Sequence, residues 1–222
     1  MMVAAAAGAV AGAAGAAGAA GAAGAAGAAG GSGGSGGSAG RTLWLLRHAK
    51  TVADPPPGGT DFDRVLAPRG RRDATALGVL FAGDGAGLGP ALREVARPEV
   101  ALVSPAARTV ATADLVLADV AAPPERRFDE ELYGADPEEI VALLRDLPES
   151  VTAAMVVGHN PTAQSLSLGL LGAREKKARS LVVRTGFPTC ALGVYAFKTD
   201  RWADVAAGTA KLVAIMAPPY GD

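Results

Sequence analysis

The apolar run Leu43–Leu46 is the feature that most constrains the fold, because Arg47 and His48 follow it at once. Four consecutive apolar residues are typical of a short strand that is covered on both faces of a sheet. Open α/β sheets place their ligand sites just beyond the carboxyl ends of such strands. The run therefore predicts a buried strand with a functional site at its end.

The other histidine occupies an equivalent place, and the chain contains only two. The apolar run Ala153–Val157 is followed by Gly158 and His159. A third apolar run, Val100–Val103, is a further predicted buried strand. If these strands are neighbours, the side chains that follow them converge on one pocket.

The segment after the third strand carries Arg108. Ser104 is a predicted N-cap and Pro105 a predicted first helical residue, so Arg108 falls in the first or second turn of a helix. The helix macrodipole alone disfavours a cation at that place. A cation there indicates a negative partner, such as a phosphate.

Helix-like and strand-like segments alternate along the rest of the chain. Helices are predicted over 68–81, 91–96, 105–117, 136–147 and 162–171. Further strands are predicted over 126–129, 189–197, 202–205 and 211–216. Segments 189–197 and 202–205 are expected to form a terminal hairpin, and 175–180 to be charged surface. The alternation predicts an α/β architecture with a mostly parallel sheet.

Residues 1–40 consist almost entirely of alanine, glycine and serine, whereas all charged residues lie in 41–222. The first segment is predicted to be disordered and to end in a flexible linker, and the second to be one folded domain. No basic region precedes an apolar core, so a secretory signal is not predicted. We expect a cytoplasmic protein, or one in an organelle (plastid or mitochondrion) if residues 1–40 act as a transit segment.

Composition disfavours several classes of function. The net charge of −1 gives no electrostatic argument for binding nucleic acid or a membrane. The single cysteine, Cys190, excludes an internal disulfide framework and is predicted to be a small core residue. Two histidines alone make a poor zinc site, because such sites use three or four protein ligands.

Arg47, His48, Arg108 and His159 together have the chemistry of a phosphoryl-transfer site. Two guanidiniums form a cationic clamp for a phosphoryl group. A neutral imidazole is a competent nucleophile, and attack by His48 would form a phosphohistidine intermediate that water later hydrolyses. His159 and the arginines would stabilise the transferring group. A lone histidine after a strand is more often a hydrogen-bonding residue than a catalyst, and arginines near helix starts are often surface ion pairs, so the residues alone leave these alternatives open.

Four motifs, in this order, resemble those of the histidine phosphatase superfamily. They are Leu45–Lys50 (Leu-Leu-Arg-His-Ala-Lys), Asp63–Gly70, Ser104–Thr109 and Gly158–Pro161. The second is similar to the Asp-Arg-Pro-Leu-Thr-x-x-Gly segment of the SixA-like phosphohistidine phosphatase branch. The resemblance extends from about Leu43 to the C-terminus.

The resemblance implies a phosphoglycerate mutase-like fold, a three-layer α/β/α sandwich around a mostly parallel sheet. It implies that His48 is the nucleophile, that Arg47 and Arg108 bind phosphate, and that His159 is the second histidine of the pocket. It also implies that neither a metal nor an organic cofactor takes part.

Two departures from the family pattern concern the first motif. Ala49 replaces the usual glycine, so the turn after the nucleophile must accept a Cβ atom; the Arg-His-Ala-Lys form is typical of the SixA-like branch. Lys50 is either a further phosphate-binding cation at the pocket rim or an exposed lysine. The asparagine that many relatives carry after this motif has no counterpart between Thr51 and Asp63.

The proton donor for a leaving group is the least determined residue. Glu130 lies where mutase-like relatives place theirs, although an exposed glutamate beside a turn fits equally well. Asp61 and Asp63 are alternatives, and Asp63 is also expected to pair with Arg64.

We therefore expect a metal-independent phosphatase that acts through phospho-His48 on protein phosphohistidine or a small phosphate ester. A phosphorylated protein or small molecule is the expected partner, and the sequence does not predict an oligomeric state. The alternatives are phosphoglycerate mutase-like transfer and a non-catalytic phosphate-binding module.

Overall fold

The computed structural model of the protein describes residues 2–4 and 40–220. The described strands are β1 (Met2–Ala4), β2 (Arg41–Arg47), β3 (Val100–Val103), β4 (Glu125–Phe128), β5 (Ala153–Gly158), β6 (Leu192–Phe197) and β7 (Ala210–Met216). The described helices are α1 (Pro68–Phe81), α2 (Pro90–Arg93), α3 (Ala107–Leu117), α4 (Pro137–Arg145), α5 (Thr162–Leu170) and α6 (Lys176–Thr185). The segment predicted to be disordered, residues 1–40, lies outside the described residues except for Met2–Ala4 and Gly40.

The strands form one sheet in the order β1-β7-β6-β2-β5-β3-β4. Strands β2, β5, β3 and β4 are parallel neighbours, whereas β6 runs antiparallel to β2 and β7 antiparallel to β6. Strand β2 therefore lies in the interior of the sheet, between β5 and β6. Helices cover both faces of such a sheet, and the predicted α/β fold with a mostly parallel sheet is confirmed.

Alternate residues of β2 face opposite sides of the sheet, as strand geometry requires. Leu43 and Leu45 pack into a core with residues of α4, α5 and α6, whereas Trp44 and Leu46 pack into a second core with residues of α1 and α3. All four side chains are fully buried. This two-sided burial explains the continuous apolar run and gives the three layers of the sandwich.

The predicted hairpin between segments 189–197 and 202–205 is wrong. Strand β6 pairs with β7, and Trp202–Asp204 is instead a short 3-10 helix. Trp202 and Val205 are three residues apart, so they lie on one side of this turn and both are fully buried. Their apolar character reflects burial outside the sheet.

The segment predicted to be charged surface belongs to a helix, α6. Ala178, Leu181 and Val182 are its buried residues, at the spacing of one helical face, while Lys176 and Lys177 are exposed. The helix ends at Thr185 and is capped by Gly186, whose left-handed backbone (φ 65°) suits a residue without a side chain. Among the described residues, no helix combines the length and apolar character needed to span a bilayer.

Candidate active site

The motifs after β2, β3 and β5 lie side by side, because these parallel strands are neighbours and end at the same edge of the sheet. The register places Arg47 opposite Gly158 and Val103 opposite Val157. The main-chain N–H of His48 donates to the carbonyl of Gly158 at 3.0 Å. The structure thus brings the two imidazoles together, with 5.3 Å between the centroids of the His48 and His159 rings.

The ring of His48 is held with one nitrogen available as a nucleophile. Its Nδ1 lies 2.8 Å from the carbonyl oxygen of Ala49, and because a carbonyl only accepts, Nδ1 carries the hydrogen. The lone pair is then on Nε2. Burial lowers the pKa of His48 to about 4, and the charges of Arg108 and Arg47 act in the same direction, against the hydrogen bond to Ala49. The imidazole is therefore neutral at pH 7.

The turn after His48 is built into the core. Ala49 is fully buried, and its N–H donates to Thr112 Oγ1 at 2.9 Å. The Thr112 hydroxyl in turn donates to the carbonyl of Arg108 at 2.6 Å. Outside glycine, the described residues with left-handed backbone are Phe187 and Cys190 alone. Ala49 thus has an ordinary conformation, and its Cβ atom is accommodated without backbone strain.

Arg108 lies in the first turn of α3 with its side chain only 8% exposed. The guanidinium donates through Nη1 to the carbonyl of Asp61 at 2.6 Å and through Nη2 to its carboxylate Oδ2 at 3.0 Å. A third bond, from Nε, reaches Nδ1 of His159 at 3.3 Å. The negative partner of this cation within the described chain is the carboxylate of Asp61. Two of the five guanidinium N–H groups are not directed at these acceptors.

The tautomer of His159 follows from its partners. Arginine Nε only donates, so Nδ1 of His159 is the acceptor and Nε2 carries the hydrogen, 2.9 Å from Ser104 Oγ. Burial, followed by the charge of Arg108, lowers the pKa of His159 to about 3. Both histidines of the site are therefore neutral at pH 7.

The contact with His159 also corrects the prediction for Ser104. Helix α3 begins at Ala107 with Ala106 at its N-cap, so Ser104 does not cap it and Pro105 is not its first residue. The fully buried Ser104 side chain instead reaches His159. A buried hydroxyl needs a hydrogen-bond partner, and here the partner is the imidazole.

Arg47, at the end of β2, is directed to the loop before β6. Its Nη1 donates to the carbonyl of Phe187 at 2.9 Å, and the side-chain amide of Asn160 donates to the same oxygen at 3.2 Å. Burial lowers the pKa of the Arg47 guanidinium below its ordinary value. Its Nε is buried and has no hydrogen-bond partner among the described residues.

Two further predicted site residues, Lys50 and Glu130, are both exposed. Lys50 contributes its carbonyl oxygen, which accepts from the N–H of Ala67 at 2.9 Å. Glu130 begins a short 3-10 helix, Glu130–Tyr133. The roles of Lys50 in binding phosphate and of Glu130 as an acid stay predictions.

Asp61 and Asp63, the alternative candidates for the proton donor, differ in their surroundings. Asp63 accepts from the N–H and hydroxyl of Thr60 at 2.8 and 3.0 Å, and the predicted pairing with Arg64 is wrong because Arg64 pairs with Asp61 at 2.8 Å. Bonds from Arg64 and Tyr133, with Arg108 nearby, lower the pKa of Asp61 to about 2. Asp61 is therefore a carboxylate at neutral pH and has no proton to donate.

Sequence reasoning did not identify the aromatic side of the pocket. Phe62 and Tyr133 lie with their ring centroids 5.1 Å apart, and Tyr133 meets the ring of His159 edge-on at 5.5 Å. We call these two residues the aromatic wall. The Tyr133 hydroxyl donates to Asp61 Oδ2 at 2.8 Å. Phe62 and Tyr133 lie far apart in the sequence, so local patterns gave no signal for their contact.

No family model matches the sequence. Among curated proteins, an uncharacterized protein of Mycobacterium tuberculosis is 33% identical over 174 residues, which are 78% of this chain and 99% of the relative. An uncharacterized protein of Mycobacterium leprae is 31% identical over 175 residues, with the same coverage.

Solved structures are also similar. A proposed phosphohistidine phosphatase SixA from Nakamurella multipartitia has a TM-score of 0.62 and 28% identity, covering 81% of this chain and 97% of that one. A proposed phosphohistidine phosphatase SixA from Agrobacterium tumefaciens has a TM-score of 0.60 and 29% identity, covering 80% and 98%. Each similarity extends over nearly the whole of the relative.

Proposed function

Since this chain belongs to the SixA-like branch of the histidine phosphatase superfamily, we propose that it is a phosphatase acting through a phosphoryl group on His48. The observation that carries the proposal is the hydrogen bond from Nδ1 to the carbonyl of Ala49. It directs the lone pair to Nε2 in a ring that its surroundings keep neutral. A neutral, oriented imidazole beside two guanidiniums is what phosphoryl transfer to histidine requires.

The proposed first step is attack of the Nε2 lone pair on phosphorus. The bond from phosphorus to the leaving group breaks, and its electron pair departs with that group. Arg47 and Arg108 offset the negative charge on the phosphoryl oxygens, and Arg108 keeps two N–H groups that are not directed at His159 or Asp61. Two permanently charged guanidiniums supply the positive charge that offsets these oxygens, so we include in the proposal that no metal ion is needed.

The second step is hydrolysis of phospho-His48. Water attacks phosphorus, the bond between phosphorus and Nε2 breaks, and the electron pair returns to Nε2. The proton lost by the water goes to solvent. Inorganic phosphate leaves, and the neutral imidazole is restored for another cycle.

The character of the leaving group favours phosphohistidine as the substrate. An alkoxide must receive a proton as it leaves, whereas a phosphoimidazole protonated on its distal nitrogen leaves as neutral imidazole. The carboxylate next to Arg108, Asp61, has no proton to give at neutral pH. If no other residue supplies a proton, the site is better suited to a substrate that brings its own.

We expect phosphate release to be faster from a phosphohistidine protein than from alkyl phosphates. The measurement is inorganic phosphate produced from a panel that includes 3-phosphoglycerate, with and without EDTA. Free phosphate should appear at an unchanged rate when EDTA is present. Isomerised 3-phosphoglycerate without free phosphate would instead indicate a mutase, and loss of activity in EDTA would contradict metal independence.

The two imidazoles should remain neutral well below the ordinary histidine pKa. The pKa of His48 is lowered to about 4 and that of His159 to about 3, so neither ring gains a proton as the pH falls from 8 to 5. Histidine-labelled NMR can test this directly because the chain has only two histidines. A His159→Gln variant assigns the signals. A resonance that titrates near pH 6.5 would contradict the buried, neutral state of that ring.

A further inference from the structure

Asp61 brings a negative charge to the mouth of the pocket. Its side chain is 52% exposed, yet Oδ2 lies 3.0 Å from Nη2 of Arg108. The same guanidinium reaches His159 at 3.3 Å. The guanidinium of Arg108 therefore links this partly exposed carboxylate to the second imidazole of the pocket.

The carboxylate is fixed by its neighbours. Oδ1 accepts from Arg64 at 2.8 Å, and Oδ2 accepts from Arg108 at 3.0 Å and from the Tyr133 hydroxyl at 2.8 Å. A carboxylate offers about four acceptor positions, so these three donors leave capacity for one more. The low pKa of Asp61 means that this position keeps its charge throughout the neutral range.

A fixed negative charge beside a phosphate site discriminates between leaving groups. It opposes a leaving group that is itself anionic and favours one that is cationic. For a phosphoryl dianion, the carboxylate is a cost in affinity. A leaving group with a positive charge offsets this cost, whereas an anionic leaving group adds to it.

The aromatic wall adds a preference for shape. The Tyr133 ring contacts Phe62 and borders His159, and its hydroxyl bonds Asp61. The guanidinium carbon of Arg108 already lies 5.5 Å from the centroid of the Tyr133 ring, so a ligand would meet the remaining exposed part of the wall. A flat aromatic cation can pack against such rings, through ring contact and cation–π attraction. The imidazolium of a phosphohistidine residue has both the flat shape and the charge.

We propose that Asp61 and the aromatic wall select phosphohistidine by binding its protonated imidazole as the leaving group, an inference that rests on the proposed function. The substrate ring takes its proton from solvent, on the nitrogen not bonded to phosphorus. When His48 Nε2 attacks, the bond between phosphorus and the substrate nitrogen breaks and its electron pair stays on that nitrogen. The ring departs as neutral imidazole, so Asp61 gives up no proton.

The test compares two substrates in Asp61→Asn. Transfer from a peptide with one phosphohistidine proceeds through the protonated, cationic imidazole ring, whereas p-nitrophenyl phosphate releases an anionic phenolate. The ratio of their kcat/KM values is expected to fall by about tenfold or more, which corresponds to one pKa unit of differential interaction. In the phosphohistidine reaction, the alkaline limb of the pH profile should also move to lower pH, because the carboxylate no longer stabilises the protonated ring.

Two further variants separate charge from position. Asp61→Glu restores the charge and should recover part of the ratio. Asp63→Asn removes a charge two residues away, from a carboxylate that contacts Thr60 instead of the pocket, and should leave the ratio unchanged. Equal losses on both substrates in Asp61→Asn would show that Asp61 only positions Arg108 and would overturn the proposal.

The proposed function has its own readout in the same experiment. Labelled phosphate trapped on His48, together with an unchanged substrate ratio in Asp61→Asn, would overturn the selection mechanism alone. An unlabelled His48 in the unmodified protein during turnover would overturn the phosphohistidine intermediate itself.

Discussion

Replacing His48 with alanine is expected to lower phosphate release by at least about a thousandfold, because the substitution removes the nitrogen that we propose attacks phosphorus. The half-buried ring makes one side-chain hydrogen bond, to the carbonyl of Ala49, and the main-chain bonds of residue 48 do not depend on the side chain. The fold should therefore persist. Phosphate release and acid-quenched trapping of labelled phosphoenzyme measure the two consequences, and no label should be incorporated.

The matched control is His159→Ala, the same substitution at the other histidine. It leaves Nε2 of His48 in place but removes the acceptor that holds Arg108 through Nε. This variant should turn over more slowly than the unmodified protein and still incorporate label. Normal turnover by His48→Ala, with a thermal unfolding transition like that of the unmodified protein, would refute the mechanism.

Gly70→Ala is expected to have the largest effect of any single added methyl group near the site. Gly70 lies in the first turn of α1, and a Cβ atom there would come within 2.0 Å of the carbonyl oxygen of Lys50 and 2.8 Å of its nitrogen. Both atoms are main chain and cannot rotate away. We expect a loss of about 1–3 kcal/mol in the free energy of unfolding, typical of overpacking. Because Lys50 is two residues after His48, a displacement of about 1 Å could also cost about 100-fold in activity.

Gly169→Ala provides the control for helical glycines. Gly169 lies in α5, and a Cβ atom there would meet nothing within 4 Å. Reduced freedom of the unfolded chain should stabilise this variant by about 0.4–1 kcal/mol. Chemical denaturation and phosphatase assays of both variants test the contrast. Equal stability of the two would show that α1 can move away from the turn after His48.

The parts of the fold that local patterns determine were predictable. The helix over 68–81 and the strand Val100–Val103 have the predicted bounds, because a proline begins the first and continuous apolar character defines the second. The pairing of the strands was less predictable. Nothing in the sequence near Trp202 distinguishes an apolar residue buried by a 3-10 turn from one in a strand, and the partner of β6 follows only from the assembled sheet.

The site shows the same division. The positions of His48 and His159 at strand ends follow from the apolar runs before them, and the parallel order of β2 and β5 then brings the rings together. The hydrogen-bond partner of Ser104 could not be predicted. The local sequence does not distinguish a serine that caps a helix from a serine that bonds a buried imidazole. Asp61 looked like a candidate acid because its donors, Arg108 and Tyr133, are distant in the sequence.

The main chain of His48 is bonded on both sides, its N–H to Gly158 and its carbonyl to the N–H of Cys190, each at 3.0 Å. His48, the proposed nucleophile, therefore shares the cooperative unit of the central sheet, and its amide should exchange with solvent only when that unit opens. Core substitutions far from the pocket would then alter how many molecules are folded and active. Within each folded molecule, Nε2 of His48 would keep the same position. The amount of folded protein can therefore change without a change in substrate specificity.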